Sequence, residues 1–402
     1  MHEIARFLPA WPLALNEPVL YGVLLVAGLV GGELVKRFLS LPRITGYVLV
    51  GVAAGPVGIG ALQGGLADQG RLFVDLALGF IVFELGHRLD FEWLRRNKWL
   101  LLSALGESAG AFIAIYAVLV YMDYSPLLAA AAAAVGTATS PAVVMMIVHE
   151  SRASGQLTER ALLFTAVNCL VAYLALTLLL PFIHLEYEAD WRVAVLHPLY
   201  LFVGALALGF VACQSLLALA AWFGKQEDRQ FVLLVAVVVL LVGAARVTGV
   251  SVVAALLALG VFARNFDYDH ALMPLRFGHA GQLLFVILFV LTGASLELHA
   301  LPTAGLVAIA FITVRFLGKA VALLAFSRLS GLRAGGAGLL SVALLPMSGL
   351  AIVMVRDTAA LFPAFGAELA AVVLSAVALL EIFGPLATQF ALRSAGETHP
   401  EA

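Results

Sequence analysis

GTATSPAVVMMIVHESRASGQLTERALLFTAVNCLVAY, residues Gly136 to Tyr173, holds an apolar helix that stops at Thr137, Thr139, Ser140 and Pro141 and then resumes. A second apolar helix follows, with Asn168 and Cys169 in the middle of its span. Proline removes a backbone donor and forces the residue before it out of the helical region. At membrane depth such irregular backbone is tolerated where it lines a polar path, so this hairpin reads as the centre of an ion site.

The rest of the chain places that hairpin in a bilayer. Of 402 residues, 63% are hydrophobic and 12% charged, with a mean hydropathy of +1.04. A soluble domain is about a quarter charged. Thirteen apolar spans are expected, at 18–38, 44–61, 71–87, 99–121, 126–148, 160–183, 196–223, 230–245, 248–263, 279–297, 302–327, 335–355 and 367–392. The fold class is therefore an all-α polytopic membrane protein. Residues 1–17 read as an extracytoplasmic segment without a cleaved-signal pattern, and 393–402 as a short cytoplasmic tail. Most Lys and Arg follow odd-numbered helices, whereas Arg6, Arg71, Arg192, Arg246 and Arg356 stand on the other side. The positive-inside rule then puts the N-terminus outside and the C-terminus in the cytoplasm.

The chain also repeats itself. Arg43-Ile44-Thr45-Gly46 returns as Arg246-Val247-Thr248-Gly249, Gly86-x-x-Leu89-Asp90 as Gly293-x-x-Leu296-Glu297, and the Pro141 break as the Pro346 break. All three pairs share nearly one offset and cross an odd number of helices. The expectation is a 6+1+6 inverted repeat: 18–183, a linker helix at 196–223, and 230–392. Paired broken helices would cross near the midplane.

These blocks resemble the monovalent cation:proton antiporter superfamily, the branch with glutathione-gated potassium efflux systems and bacterial sodium/proton exchangers. The likeness rests on SLPRITGYVLVGVAAGPVGIG (40–60), FELGHRLDFEWL (83–94), RFLGKAVALLAFSRLSG (315–331) and LLSVALLPMSGLAIVMV (339–355), in order. It implies exchange of Na⁺ or K⁺ for protons by alternating access in a bacterial inner membrane. A core bundle would move past a scaffold that forms a homodimer. It further implies a carboxylate at the crossing that takes a proton or a cation, and a basic residue that balances the helix ends. On this sequence the family's Asn/Gln falls on Asn168, its break on Thr139-Ser140-Pro141, its basic position on Arg315 and its second break on Leu345-Pro346-Met347-Ser348-Gly349. The ion-binding Asp falls on Cys169. A thiol is neutral at pH 7 unless its pKa is lowered, and is a poor ligand for Na⁺ or K⁺.

Glu107, on the fourth span, is the carboxylate that could stand in. The repeat sets it against Arg315, so a buried Glu107–Arg315 pair is expected, either a proton carrier or a static brace. The remaining groups have plainer readings. Lys319, one turn beyond Arg315, reads as snorkelling. Asp75 reads as solvated, Glu33 as a salt bridge to Lys36 or Arg37, and His149 as a surface residue. Glu84 and Glu381 read as marginal to the ion path. Cys169 and Cys213 lie in apolar helices and suggest neither a disulfide nor a metal site. No cofactor and no nucleic-acid partner are implied, and HExxH, paired-Asp and GxSxG motifs are absent. The alternative is that exchange has been lost and the scaffold serves as a sensor, a regulatory subunit or a carrier of another small solute.

Overall fold

Proline, serine and apolar periodicity set the helix boundaries throughout a computed structural model that describes residues 17–60, 71–187, 190–268, 271–273, 278–296, 301–347 and 349–399. Among these residues the regular structure is helical. The first half holds α1 (Glu17–Leu39), α2 (Arg43–Ala54), α3 (Arg71–His87), α4 (Phe91–Arg96), α5 (Lys98–Tyr121), α6 (Pro126–Thr137), α7 (Pro141–Glu150) and α8 (Gln156–Tyr187). The second holds α9 (Trp191–Phe223), α10 (Glu227–Thr248), α11 (Val252–Phe266), α12 (Gly278–Ala294), α13 (Leu301–Ser327), α14 (Ala334–Ala343), α15 (Gly349–Leu361) and α16 (Pro363–Ser394). Eight segments among them are long and apolar enough to cross a membrane.

The helices sort into two bundles. In one, α1 packs on α2, α12 on α2 and α3, α11 on α3, and α9 and α10 on α11. In the other, α13 lies along α5, with α6, α7, α8, α14, α15 and α16 around them. In the second bundle, α5 and α13 approach to backbone contact. A methyl at Gly110 would lie 2.5 Å from the Gly318 carbonyl oxygen, and one at Gly318 would collide with the Gly110 carbonyl. Only glycine on both helices allows this contact, as in small-residue packing within bilayers. It brings the faces carrying Glu107 and Lys319 together.

Away from the sequential α8–α9 connection, the polar contacts described between the bundles gather mainly at the ends of α2, α3, α7 and α8. The two oxygens of Glu150, at the end of α7, accept the Arg43 N–H at 3.1 Å each. They thereby cap α2, whose Pro42 offers no side-chain cap. Lys36 reaches the same carboxylate at 3.5 Å, while Glu33 binds Arg37 and Arg43 instead. Arg88 links Glu84 to Glu159, and His149 lies 4.0 Å from Glu84. Glu397, beyond α16, accepts the N–H groups of Leu157 and Thr158 at 2.8 and 2.7 Å and so caps α8, the helix that carries Asn168.

The first copies of the repeated motifs sit where the pattern put them. Arg43 opens α2, and Gly86-x-x-Leu89-Asp90 closes α3. The second copy of the first motif behaves differently. Arg246 to Thr248 end α10 rather than open α11, because Gly249 (φ 70°) takes the left-handed conformation of a helix stop. Glu297 lies outside the described residues. Asp90 caps α4 through the Trp93 N–H at 2.9 Å and binds Arg264 at 2.8 Å, while Asn265 clamps Leu89 and Phe91. The Trp93 N–H, aided by Arg264, holds the Asp90 carboxyl below the usual range. A depressed acid stabilises the fold above its unfolded pKa and loses that contribution as pH falls. Asp90→Ala should therefore cost about 1 kcal/mol at neutral pH. The gap from wild type should narrow on acidification in thermal unfolding; a pH-independent gap would refute the account.

Candidate functional site

Two helices break and cross at the heart of the second bundle. α6 ends at Thr137 because Pro141 lies ahead; Ala138 (ψ 138°) and Ser140 (ψ 109°) are extended, and Ser140 caps α7 through the Val143 N–H at 3.3 Å. α14 ends at Ala343, and Pro346 stands in the non-helical stretch that follows. The open stretches bond to each other: Ser140 N–H donates to the Pro346 carbonyl at 2.9 Å, and the Thr139 hydroxyl to Leu344 at 3.4 Å. Pro141, Thr139, Ser140 and Pro346 thus stand where the sequence put them. Ser348 lies outside the described residues.

Arg315, on α13, serves the helix ends. Its Nε donates to Gly136 at 2.6 Å, Nη1 to Leu345 at 2.7 Å, and Nη2 to Ala138 at 2.7 Å and Leu344 at 3.5 Å. All four acceptors are carbonyls at the C-terminal ends of α6 and α14. Each such end carries about half a negative charge, so one guanidinium neutralises the two.

Glu107 pairs with Lys319, not with Arg315. The Lys319 ammonium lies 2.6 Å from Glu107 Oε1, 2.9 Å from Thr139 Oγ1 and 3.4 Å from the Thr137 carbonyl. The expected Glu107–Arg315 pair fails because the guanidinium is held by backbone carbonyls, and α13 presents Lys319 one turn further along the same face. Lys319 does not snorkel. It, Glu107 and Arg315 all have 0% exposure. With Arg315 matched to the helix ends, Glu107 and Lys319 remain as a mutually compensating pair, both fully buried. Glu107 Oε2 is buried without a hydrogen-bond partner among the described residues.

The second hairpin helix closes the site. Asn168 donates from Nδ2 to Thr139 Oγ1 at 3.0 Å and to Glu107 Oε1 at 3.3 Å, and its Oδ1 accepts from the Ser108 hydroxyl at 2.7 Å. The Cys169 thiol donates to the Thr139 carbonyl at 3.3 Å, and Cys169 and Cys213 are both free. The sequence reading set Lys319 aside as a snorkelling residue and passed over Ser108. The signals were present: Lys319 is four residues after Arg315, and Ser108 directly follows the one acid of α5.

Two cavities flank this level along α8. One of about 310 Å³ reaches Tyr173 and is lined by Asp75, Arg246 and Asp357. Asp75 is paired with Arg246 rather than freely solvated. The other, of about 890 Å³, reaches Leu163 and is lined by Arg88, Asp90, Glu159 and Arg264. Asn168 and Cys169 lie between them. Glu381 on α16 is fully buried as well.

With this geometry in hand, a family model described as "Sodium/hydrogen exchanger, transmembrane" matches residues 22–393. Among solved structures, the chain is similar to the sodium proton antiporter MjNhaP1 from Methanocaldococcus jannaschii at pH 8. The identity is 14% and the TM-score 0.68, over 94% of this chain and 97% of that one. A second structure of MjNhaP1, from an electron-microscopy map, gives 16% identity and a TM-score of 0.65, over 95% and 98% of the two chains. At these identities the likeness is one of fold.

Proposed function

The chain belongs to the sodium/hydrogen exchanger family, and from that premise we propose that it exchanges Na⁺ or K⁺ for protons with Glu107 and Lys319 as the exchanging pair. The family is one of membrane transporters, which sets enzymatic readings aside. The observation that carries the proposal is the fully buried Glu107–Lys319 pair at 2.6 Å, placed at the crossing of two broken helices.

Coupling follows from charge. A dry site tolerates little net charge. It is neutral with Glu107 ionised and Lys319 protonated. It is neutral again with Glu107 ionised, a monovalent cation against it, and Lys319 deprotonated. Passing from the first state to the second releases one proton for each cation bound. Glu107 Oε2 offers the cation an oxygen that no donor among the described residues occupies.

Movement follows from the two bundles. We assign α5–α8 with α13–α16 as the moving core and α1–α3 with α9–α12 as the scaffold, related by the inverted repeat and thirteen crossings. The two cavities between them support alternating access, each a route from one side. A second copy is placed against the scaffold, where α1 and α9 turn Val23, Val26, Val203 and Val211 outward. We assign a bacterial inner membrane, and the positive-inside pattern supports an N-terminus outside.

Proteoliposomes with a lumenal pH dye test the exchange. Na⁺, K⁺ or Li⁺ should dissipate an imposed pH gradient; no response to any of them at neutral or alkaline pH sinks the proposal. Cys169 favours a second reading, a non-exchanging sensor or regulatory subunit, and that same negative result would select it. In the exchange reading the thiol only braces the Thr139 carbonyl. Cys169→Ser keeps that donor and should change the rate by less than about fivefold, the worth of one neutral hydrogen bond. Loss of exchange in Cys169→Ser would instead place the sulfur in the ion path.

A further inference from the structure

We propose that Ser108 is a positioning residue that sets which edge of the Asn168 amide faces the ion site, so that cation uptake proceeds through rotation of that amide. The inference rests on the exchange reading and deepens it.

The amide is held by three bonds of definite polarity. Ser108 donates to Oδ1 at 2.7 Å, and Nδ2 donates to Thr139 Oγ1 at 3.0 Å and to Glu107 Oε1 at 3.3 Å. The surroundings fix this sense. Thr139 gives its own hydrogen to Leu344, so its oxygen accepts from Lys319 and Asn168. Glu107 Oε1 also only accepts. Turned over, Asn168 would set its carbonyl against two acceptors with no hydrogen between them. In the cation-free state, then, Asn168 shows N–H groups to Glu107.

A monovalent alkali cation reverses the requirement. It needs oxygens, and an inward-facing N–H₂ repels it. Half a turn about the Cβ–Cγ bond brings Oδ1 to Glu107 and Thr139 and swings Nδ2 towards Ser108. A hydroxyl both donates and accepts, so Ser108 can partner either edge. Alanine can partner neither. The two states do not suffer equally from its absence. A buried carbonyl tolerates a missing partner better than buried N–H groups do. In the cation-free state Ser108→Ala orphans only Oδ1, and Nδ2 keeps two acceptors. In the cation-loaded state it orphans Nδ2. The loaded state therefore loses more.

The test is proteoliposome exchange by Ser108→Ala, Ser108→Thr and Glu107→Gln beside wild type, with melting temperature in detergent measured on each. Ser108→Ala should raise the cation KM about tenfold at nearly unchanged maximal rate. Ser108→Thr, which keeps the hydroxyl, should restore it. A purely structural role would lower melting temperature and maximal rate without selectively moving KM. An unchanged KM in Ser108→Ala, or a raised KM that threonine does not rescue, overturns the amide switch. If Glu107→Gln is inactive in that same series, the exchange reading stands without it. If wild type shows no exchange, both fall.

Discussion

Glu107→Gln is expected to abolish cation-driven dissipation of a proton gradient, lowering the rate by about 100-fold or more, on the scale of losing a proton-transfer group. The variant keeps the side chain's shape and the oxygen that accepts from Asn168. It removes the charge that holds Lys319 protonated and that would hold a cation. Lys319 is then either an unpaired buried ammonium or a buried amine that has given up its proton, and either outcome costs stability. Breaking one side of a buried pair costs about 3–5 kcal/mol, whereas replacing both sides with neutral groups is often tolerated. Glu107→Gln/Lys319→Met should accordingly recover melting temperature towards wild type while remaining inactive. A Glu107→Gln variant with full exchange would remove Glu107 from the mechanism. A double variant less stable than Glu107→Gln alone would show that Lys319 is held by Thr137 and Thr139 rather than by the carboxylate.

The second large effect is on folding. Arg315→Ala leaves three buried carbonyls, at Gly136, Ala138 and Leu345, without the bonds that Arg315 donates, and leaves Leu344 with only the Thr139 hydroxyl. Each buried group left unsatisfied costs about 1–3 kcal/mol, so the total approaches the whole stability of an ordinary domain, about 5–15 kcal/mol. The expected outcome is little or no folded protein by size-exclusion chromatography. Arg315→Lys supplies one point donor in place of a planar fork; it should fold with a lowered melting temperature. Normal yield and melting temperature for Arg315→Ala would mean that water satisfies the helix ends and that the guanidinium is not their cap.

The contrast between Arg315 and Glu107 shows what the sequence could carry. Helix breaks are local chemistry: Pro141 and Pro346 dictate them wherever the fold puts them, and an intramembrane arginine near two broken helices has obvious acceptors. Thr139 and Ser140 were legible as parts of the Pro141 break, and Asn168 as an amide in the middle of an apolar span. Partner choice is not local. Whether Glu107 meets Arg315 or Lys319 depends on the axial register of α5 against α13. That register is set by the Gly110–Gly318 contact between segments about 200 residues apart. No spacing rule within either helix encodes it. The Arg246–Gly249 motif failed in another way. Its likeness to Arg43–Gly46 is real as letters, but Gly249 adopts a left-handed conformation, and a helix stops where one was expected to start.

The backbone-to-backbone contact at Gly110 and Gly318 has a consequence for engineering. Glu107, Lys319, Arg315, Thr139, Asn168 and Ser108 all ride on one bundle, and their recorded partners ride with them. The other bundle lends the crossing no ligand among the described contacts. If exchange runs as proposed, the site would travel as one unit with its bundle. Ion choice would then rest on α5, α6, α8 and α13, and the rate of shuttling on the seam residues Glu150, Glu84 and Arg88. Selectivity and turnover can then be tuned on separate sets of residues, and changes drawn from the two sets should combine additively.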